Sequence, residues 1–299
     1  MSENGAARSY YGQPIVKRPV WTPEIPIYFF AGGMSGASAG LAYLAELRGN
    51  DELARRAWAA AMAGIGVSPA LLVSDLGVPT RFLNMLRMFK VTSPMSVGSW
   101  ILSASGAATT LAAASAWTDR FPRAGRAARP VAAVLGLPLS TYTAALVTNT
   151  AIPVWHEARG QMAFVFGAGA AASAGAVAVA ATPIRHAAPA RRLAVGGAAA
   201  ELIAKRVMER GLGDVGEPYR QGAAGGLARL SFGLTAAGAA TIAAGASRSR
   251  AAAAVGGTLL AAGALAERWS IYRAGFQSAA DPKYVVDPQR RRLETAAAA

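Results

Sequence analysis

The chain has 299 residues, of which 53% are hydrophobic and 15% are charged, and its formal net charge is +14. A soluble domain usually carries about 25% charged residues, and here the few charges lie in short clusters between long runs of Ala, Gly, Leu and Val. This pattern indicates a protein that crosses a membrane several times, and it does not indicate nucleic-acid binding, because the Lys and Arg residues flank apolar runs as they do in membrane loops.

The cysteine and histidine content limits the redox groups that the chain itself can hold. It has no cysteine and only two histidines, His156 and His186. Without thiolates it cannot form a disulfide or ligate an iron–sulfur cluster. Residues 1–25 are polar and lack the basic-then-apolar order of a cleaved signal peptide, so we expect the first membrane span to act as the insertion signal.

Candidate spans are found as charge-poor segments of about 20 residues, the length that crosses a bilayer. They are residues 26–47, 55–75, 95–117, 130–150, 161–182, 191–211, 222–246 and 251–272. The sequence therefore predicts an all-α membrane protein with eight transmembrane helices arranged as two four-helix bundles. The sixth segment is the weakest, because Glu201, Lys205 and Arg206 follow a short charge-free core.

Two small-residue stretches suggest that the chain has two related halves. "GGMSGASAG" at 32–40 aligns with "GAGAAASAG" at 167–175 at an offset of 135 residues. Small residues let helix backbones approach closely in lipid, and internal repeats are common in membrane proteins, although Ala/Gly-rich helices also match by chance. The predicted organisation is an extramembrane segment 1–25, helical halves 26–150 and 151–273, and a polar tail 274–299.

The distribution of Lys and Arg predicts the orientation. Eight spans put both termini on one side of the membrane. The short loops on the opposite side hold twelve Arg residues between Arg48 and Arg250. By the positive-inside rule these loops are cytoplasmic, which makes the termini extracytoplasmic.

A basic, Met-rich segment interrupts two apolar runs at "DLGVPTRFLNMLRMFKVTSPMSVGSWIL", residues 75–102. Within it, residues 81–90 alternate basic and apolar side chains and are too short to span a bilayer. This part is expected to form a helix that lies at the membrane surface.

Two charges are predicted at membrane depth. Glu201 and Arg229 lie fourteen residues on either side of Val215, the centre of the turn between spans six and seven. An antiparallel hairpin would place them at similar depth, where an isolated charge costs at least about 2.5–3.5 kcal/mol, so we expect them to pair. A structural role and a place on a proton path both remain open.

Several polar residues converge at the termini-side end of the predicted bundle. Tyr142 lies about two helical turns deeper than the others. Each has an ordinary structural explanation, such as a belt aromatic or a helix terminus, but together they indicate a site. The residues at the end itself are Glu24, Tyr28, Asp75, Arg81, Asn149, His156 and Glu157.

These motifs resemble a known family. "DLGVPTRFLNMLRMFKVTSPMSVGSW" is similar to the signature of the NrfD/PsrC family, the membrane subunits of polysulfide-reductase-like oxidoreductases. "VWTPEIPIYFFAGGMSGASAG" resembles its first span, and "TYTAALVTNTAIPVWHEA" at 141–158 resembles its fourth span and the following loop. The resemblance covers at least residues 14–175. Beyond residue 185 it rests on span count and on "GEPYRQG" at 216–222.

The resemblance implies a multi-pass subunit of the cell membrane that exchanges electrons with menaquinone or ubiquinone. It also implies a ferredoxin-like iron–sulfur partner subunit and, beyond it, a molybdopterin catalytic subunit. The span-four tyrosine of the family matches Tyr142, and its signature carboxylate and arginine match Asp75 and Arg81. The polar residue that opens its first span matches Tyr28, where some members carry histidine.

Quinone chemistry suits the residues at this end. Tyr28 and Tyr142 could donate hydrogen bonds to the quinone oxygens, and Asp75 or Glu24 could relay protons. The ring needs a flat apolar slot, for which Trp100 and Phe82 are candidates, and His156 is a further candidate contact. No haem is expected, because His156 and His186 lie at opposite ends of span five, and no metal site is expected in the chain.

Two other functions remain open. The possible repeat and the Glu201–Arg229 pair would suit a secondary transporter, and the chain could also be a passive anchor of a redox complex. A proton path through Glu46, Asp75, Tyr142 and Glu201 is expected to be incomplete, because the middle of the bundle is rich in Ala and Gly. The sequence does not name the terminal substrate.

Overall fold

The structure, a computed structural model, describes residues 14–118 and 120–297. The predicted all-helical fold is confirmed, since these ranges form helices and turns without a strand. Residues 1–13 of the predicted N-terminal segment lie outside the described residues. The α-helices in the described ranges are α1 Glu24–Glu46, α2 Asp51–Ser74, α3 Phe82–Arg87, α4 Pro94–Thr118, α5 Pro122–Thr148, α6 Pro153–Glu157, α7 Met162–Ala181, α8 Ala188–Leu212, α9 Gly222–Gly245, α10 Arg250–Ala280 and α11 Lys283–Ala297.

Within the described residues, five helices are long and apolar enough to cross a membrane, namely α2, α4, α5, α7 and α9. Of the other long helices, α8 carries Glu201 and Lys205, and α10 carries Glu267 and Arg268, all of them buried inside the protein. Charges that face the protein interior lower the mean hydropathy of a helix without facing lipid. These buried charges lower the mean hydropathy of α8 and α10, together with exposed charges such as Arg206 and Arg273.

The packing of the long helices centres on α1. It contacts α2, α5, α7 and α10. In the first half α4 also packs on α2 and α5, and in the second half α7 packs on α8 and α10 while α9 packs on α8 and α10. The α1–α7 contact therefore joins the two small-residue helices that the sequence singled out.

Glycines allow these contacts to be close. A Cβ atom on Gly36 would overlap the carbonyl oxygen of Gly136, and the reverse also holds, so the α1 and α5 backbones touch. A Cβ atom on Gly64 would lie 2.5 Å from the carbonyl oxygen of Ala31, which brings α2 equally close to α1. The predicted role of the small residues is thus confirmed for these helices.

Polar side chains tie the helices together at the end of the bundle where α1 finishes. Trp58 Nε1 donates to Glu46 Oε1 at 2.9 Å, and Arg129 Nη1 lies 3.5 Å from Glu46 Oε2. Glu46 therefore links α1, α2 and α5, which is a structural role for a residue that the sequence offered for a proton path. Asn50 Nδ2 donates to the carbonyl oxygen of His186 at 2.9 Å and connects this end to the second half.

Several predicted boundaries differ from the structure, including the start of α5, which is Pro122 and not residue 130. The surface helix expected over 81–90 is limited to α3, because Met88 adopts an extended backbone that ends it. The last long helix continues to Ala280, eight residues past the predicted end at 272 and into the predicted polar tail. The Arg273 side chain just past the predicted end is exposed and does not interrupt the helix.

The contact between Gly36 and Gly136 predicts a large difference between two glycines of α1. Gly36→Ala should lower the free energy of unfolding by about 1–3 kcal/mol, because the added methyl overlaps backbone atoms. Gly40→Ala is the matched control, since a Cβ atom there meets nothing within 4 Å. It should be neutral or stabilising by up to about 1 kcal/mol. Unfolding in detergent measures both, and equal stability of the two variants would contradict the close contact.

Candidate functional site

Asp75 joins the end of α2 to the start of α1. Its Oδ1 atom accepts hydrogen bonds from the backbone N–H of Thr22 at 2.8 Å and from the Thr22 hydroxyl at 2.7 Å. Asp75 directly follows the last residue of α2, and Thr22 precedes the first turn of α1 by two residues. The carboxylate therefore fixes the relative position of the two helices at the termini-side end.

The second half of the chain contributes to the same end through aromatic residues. Trp21 stacks on Trp155, with ring centroids 5.1 Å apart, and the Tyr272 hydroxyl donates to the carbonyl oxygen of Trp21 at 2.7 Å. Trp155 Nε1 donates to the carbonyl oxygen of Ile271 at 2.8 Å, and its ring lies directly on Gly275. Sequence reasoning missed Tyr272 and Gly275. The only signal was an aromatic and a glycine three residues apart on α10, which is common in any helix.

Tyr28 is a buried polar group without a partner in the described part of the chain, and Tyr219 in the same apolar cluster is another. The Tyr28 side chain is 0% exposed, and its hydroxyl has no hydrogen-bond partner among the described residues. The ring lies on the same side of α1 as Gly32, where a Cβ atom would be 3.8 Å from the ring and 3.7 Å from Ser68 Oγ. Leaving a buried hydroxyl unpaired costs about 1–3 kcal/mol. Tyr28 is therefore a buried donor that no described residue satisfies.

Glu24 lies one helical turn before Tyr28, on the same face of α1. It is half-buried, and its Oε2 atom is buried without a hydrogen-bond partner in the described part of the chain. Glu24 and Tyr28 thus lie in the first five residues of α1, and Asp75 contacts Thr22 just before it.

Tyr142 packs against Gly98, where an added Cβ atom would overlap the phenol ring. The side chain is half-buried and contacts the buried apolar cluster to which Tyr28 belongs. This cluster includes Ile65, Leu102 and Leu139, one from each of α2, α4 and α5. The two tyrosines therefore border one apolar region, which residues from both halves of the chain form.

Three predicted site residues lie at the surface. Arg81 and His156 are exposed, and Trp100 is 40% exposed. The Trp100 indole N–H donates to the carbonyl oxygen of Met88 at 3.2 Å and its ring meets the edge of Phe89, so it braces the α3–α4 connection. Trp100 lies outside the apolar cluster, and the slot predicted from it is not formed there.

The predicted pair between Glu201 and Arg229 is wrong. Arg229 is exposed, and its Nη1 atom donates to the carbonyl oxygen of Arg220 at 3.2 Å. Glu201 is 2% exposed and lies beside Arg268, with both side chains resting on Gly169 of α7. Counting residues from the turn matched the depths of the two charges but not the faces of their helices.

Glu201 belongs instead to a buried charge cluster, which we define as Glu201, Lys205, Glu267 and Arg268. Lys205 Nζ forms an ion pair with Glu267 Oε2. Arg268 donates to the carbonyl oxygen of Phe166 at 3.0 Å and lies 4.0 Å from the centroid of its ring. The formal charges of the cluster sum to zero. Sequence reasoning missed Glu267 and Arg268 because they lie near the end of the predicted last span.

The helix α11 closes the termini-side end from outside. Lys283 Nζ lies 2.7 Å from Glu217 Oε2, and the Tyr284 hydroxyl donates to the same oxygen at 3.1 Å. The Lys283 ammonium, followed by the Tyr284 hydroxyl, lowers the pKa of the Glu217 carboxyl from its usual value of 4.5. The hydrogen bond to Glu217 raises the pKa of Lys283 above its usual value of 10.5. Next to α11, His156 lines a cavity of about 340 Å³.

The fold defines a helical, multi-pass membrane protein. A family model described as Polysulfide reductase, of the NrfD type, matches residues 7–281, and the chain belongs to this family. The match extends through the second half, beyond the residues that carried the resemblance. No curated protein matches the chain. NrfD-type proteins are membrane subunits of oxidoreductase complexes and associate with catalytic and iron–sulfur subunits.

The shifted pKa values of Glu217 and Lys283 predict the pH range in which α11 stays packed against the segment that holds Glu217, which we call docking. The lowered pKa of Glu217 stabilises docking above about pH 4.5 and loses that effect as pH falls through the lowered value. The raised pKa of Lys283 stabilises docking below 10.5 and loses its effect at still higher pH. Because the chain has no cysteine, spin labels on Leu293→Cys and Leu230→Cys report the distance between α11 and α9 cleanly. The distance should lengthen between about pH 7 and about pH 3.

The control for this experiment is Glu217→Gln, which should lengthen the distance already at neutral pH. A distance that stays constant on acidification in the native sequence would show that the Glu217 contact does not hold α11.

The buried charge cluster predicts that removing one charge of the Lys205–Glu267 pair lowers the free energy of unfolding more than removing both. Lys205→Met leaves the Glu267 carboxylate buried and should lower the free energy of unfolding by about 3–5 kcal/mol. The double variant Lys205→Met/Glu267→Met removes the pair and should recover most of that loss. Unfolding in detergent tests this, and a single variant as stable as the double one would contradict the ion pair.

Proposed function

We propose that the chain is a quinone-reactive membrane subunit that passes electrons between membrane quinone and an iron–sulfur partner subunit. The observation that carries this proposal is the Tyr28 hydroxyl, which is fully buried and unpaired beside an apolar cluster. A neutral aromatic ligand with a carbonyl acceptor suits such a place better than a charged one, because a charge would be costly to bury there.

The residues present fit a quinone ring. Tyr28 and Tyr142 supply two phenol donors, and the apolar cluster between them supplies a surface for the ring. When bound, the quinone supplies the two-electron chemistry, which the chain itself lacks. Tyr28 would orient the ring through one carbonyl oxygen, and Tyr142, packed on Gly98, would support the other side. The cluster excludes water around both.

Among the acids, Glu24 is the better proton carrier. Asp75 Oδ1 is already engaged by both donors of Thr22. Glu24 has a buried oxygen without a partner and lies one helical turn from Tyr28. Protons released at the tyrosines would therefore leave by Glu24, while Asp75 holds the helix ends in position.

Electrons would leave to a partner. The chain has no cysteine, and the described residues contain no group of three His, Cys, Asp or Glu side chains that could hold a metal ion. His156 and His186 lie at opposite ends of α7, a helix of 20 residues or about 30 Å, so one haem iron could not reach both. The exposed side chains of Arg81, Arg87 and Lys90 at the same end are suited to an acidic face of the iron–sulfur subunit.

The proposal includes eight membrane spans in two four-helix bundles, with both termini on the extracytoplasmic side. Its support is the order of the eight long helices and their packing within each half. The buried charges of α8 and α10 meet each other and not lipid, as spanning helices require.

A secondary transporter is the alternative that a specific observation favours. The buried charge cluster lies in the interior of the second half, where transporters bind ions. Against this function, the cluster is internally balanced, with two acids and two bases.

The proposal is tested by removing one hydroxyl. Tyr28→Phe should weaken quinone binding to the purified complex, and its quinone-linked electron transfer, by about tenfold, the value of one buried hydrogen bond. Tyr43→Phe is the matched control. Tyr43 lies at the other end of α1 and packs against a second apolar cluster, separate from the one that contains Tyr28. The iron content of each preparation checks that the partner is still assembled. Unchanged quinone affinity in Tyr28→Phe with full iron content would overturn the proposed site.

A further inference from the structure

A wide groove opens on the outer surface between α1, α5, α7 and α8, away from the candidate site. Its volume is about 890 Å³, within the range of about 300–1,000 Å³ typical of ligand sites. Glycines form much of its floor and leucines its walls. The residues that define it are Gly36, Gly40, Leu44, Leu137, Gly167 and Leu193.

The groove has the length of one membrane leaflet. Along α1 it runs from Gly36 to Arg48, which is about 18 Å at 1.5 Å per residue. The hydrocarbon core of a bilayer is about 30 Å thick, so one leaflet occupies about half of that. The apolar part therefore begins near the middle of the membrane and ends near the headgroups.

The headgroup end of the groove is positively charged. Arg48 and Arg192 both line it, both side chains are exposed, and neither has an ion pair or a hydrogen bond among the described residues. The nearest acid on α1, Glu46, is taken by Trp58 and Arg129. Two guanidinium groups without an ion pair in the described part of the chain thus lie at the end of the apolar groove that faces the membrane surface.

We propose that this groove binds an anionic phospholipid, with its phosphate between Arg48 and Arg192 and an acyl chain along the glycine floor. Guanidinium groups bind phosphate oxygens through charge-assisted hydrogen bonds, and basic pockets between membrane helices bind acidic headgroups. A quinone tail would fill the apolar part but would leave both arginines unpaired. The proposal is independent of the quinone site, which lies at the other end of α1.

The bound lipid would connect the two halves of the protein. Arg48 follows α1 in the first half and Arg192 lies in α8 in the second half. At this end, the direct polar link between the halves described above is the hydrogen bond from Asn50 to His186. A phosphate held by both arginines would add a second link beside it.

Native mass spectrometry of the purified complex tests the proposal. The probes are phosphatidylglycerol and phosphatidylcholine with identical acyl chains, titrated separately after delipidation. The native sequence should retain one phosphatidylglycerol about tenfold more tightly than phosphatidylcholine. Arg48→Gln/Arg192→Gln should abolish that preference. The control Arg123→Gln/Arg126→Gln removes two exposed arginines at the start of α5, on the same side, and should keep it.

A second pair of variants tests the apolar part. Gly40→Leu places a side chain at a glycine that lines the groove, where the Cβ atom meets nothing within 4 Å. It should weaken the retention of both lipids about tenfold. Gly66→Leu, at an exposed position of α2 where a Cβ atom also meets nothing within 4 Å, should change neither. Equal retention of the two lipids by the native sequence would overturn the proposal. Loss of the preference for phosphatidylglycerol in the Arg123/Arg126 control would also overturn it. So would a quinone that occupies the groove and is not displaced by phosphatidylglycerol.

Discussion

The backbones of α1 and α5 touch at Gly36 and Gly136, and the rest of the structure depends on that contact. Lipid offers helices no hydrophobic reason to associate, so close packing of small residues has to hold them. With α5 and α2 against its glycines, α1 becomes the helix around which both halves are built. Glu24 and Tyr28 lie near the start of α1, toward one membrane face. The glycines that line the groove lie in its later turns, toward the other face.

The two halves bury polar groups in different ways. In the first half, the Tyr28 hydroxyl is buried in apolar surroundings without a hydrogen-bond partner among the described residues, which suits an uncharged ligand that accepts a hydrogen bond. The second half buries four charges that sum to zero. Of these, Lys205 and Arg268 donate to the carbonyl oxygens of Ala228 and Phe166, whereas neither Glu201 carboxylate oxygen has a hydrogen-bond partner among the described residues. A balanced cluster stabilises helix packing only while it is complete. We therefore assign ligand chemistry to the first half and a structural role to the second.

Much of the fold could be predicted because charge-free length and small-residue spacing are local properties of the sequence. The eight long helices follow from them, and Tyr28, Tyr142 and Asp75 follow from family motifs. The partners of Glu201 did not follow, because depth in a hairpin leaves the rotation of each helix undetermined. Trp155 on Gly275 was equally hidden, since nothing local relates α6 to a helix more than a hundred residues later. Contacts of this kind are set by tertiary packing.

The most direct test of the account is a cryo-electron microscopy map of the chain in its native complex, in lipid nanodiscs with added menaquinone. The account predicts a quinone ring in the apolar cluster that contains Tyr28, with one carbonyl oxygen about 2.7–3.2 Å from the Tyr28 hydroxyl. A quinone ring bound elsewhere, with the Tyr28 hydroxyl hydrogen-bonded only to protein or water, would contradict it.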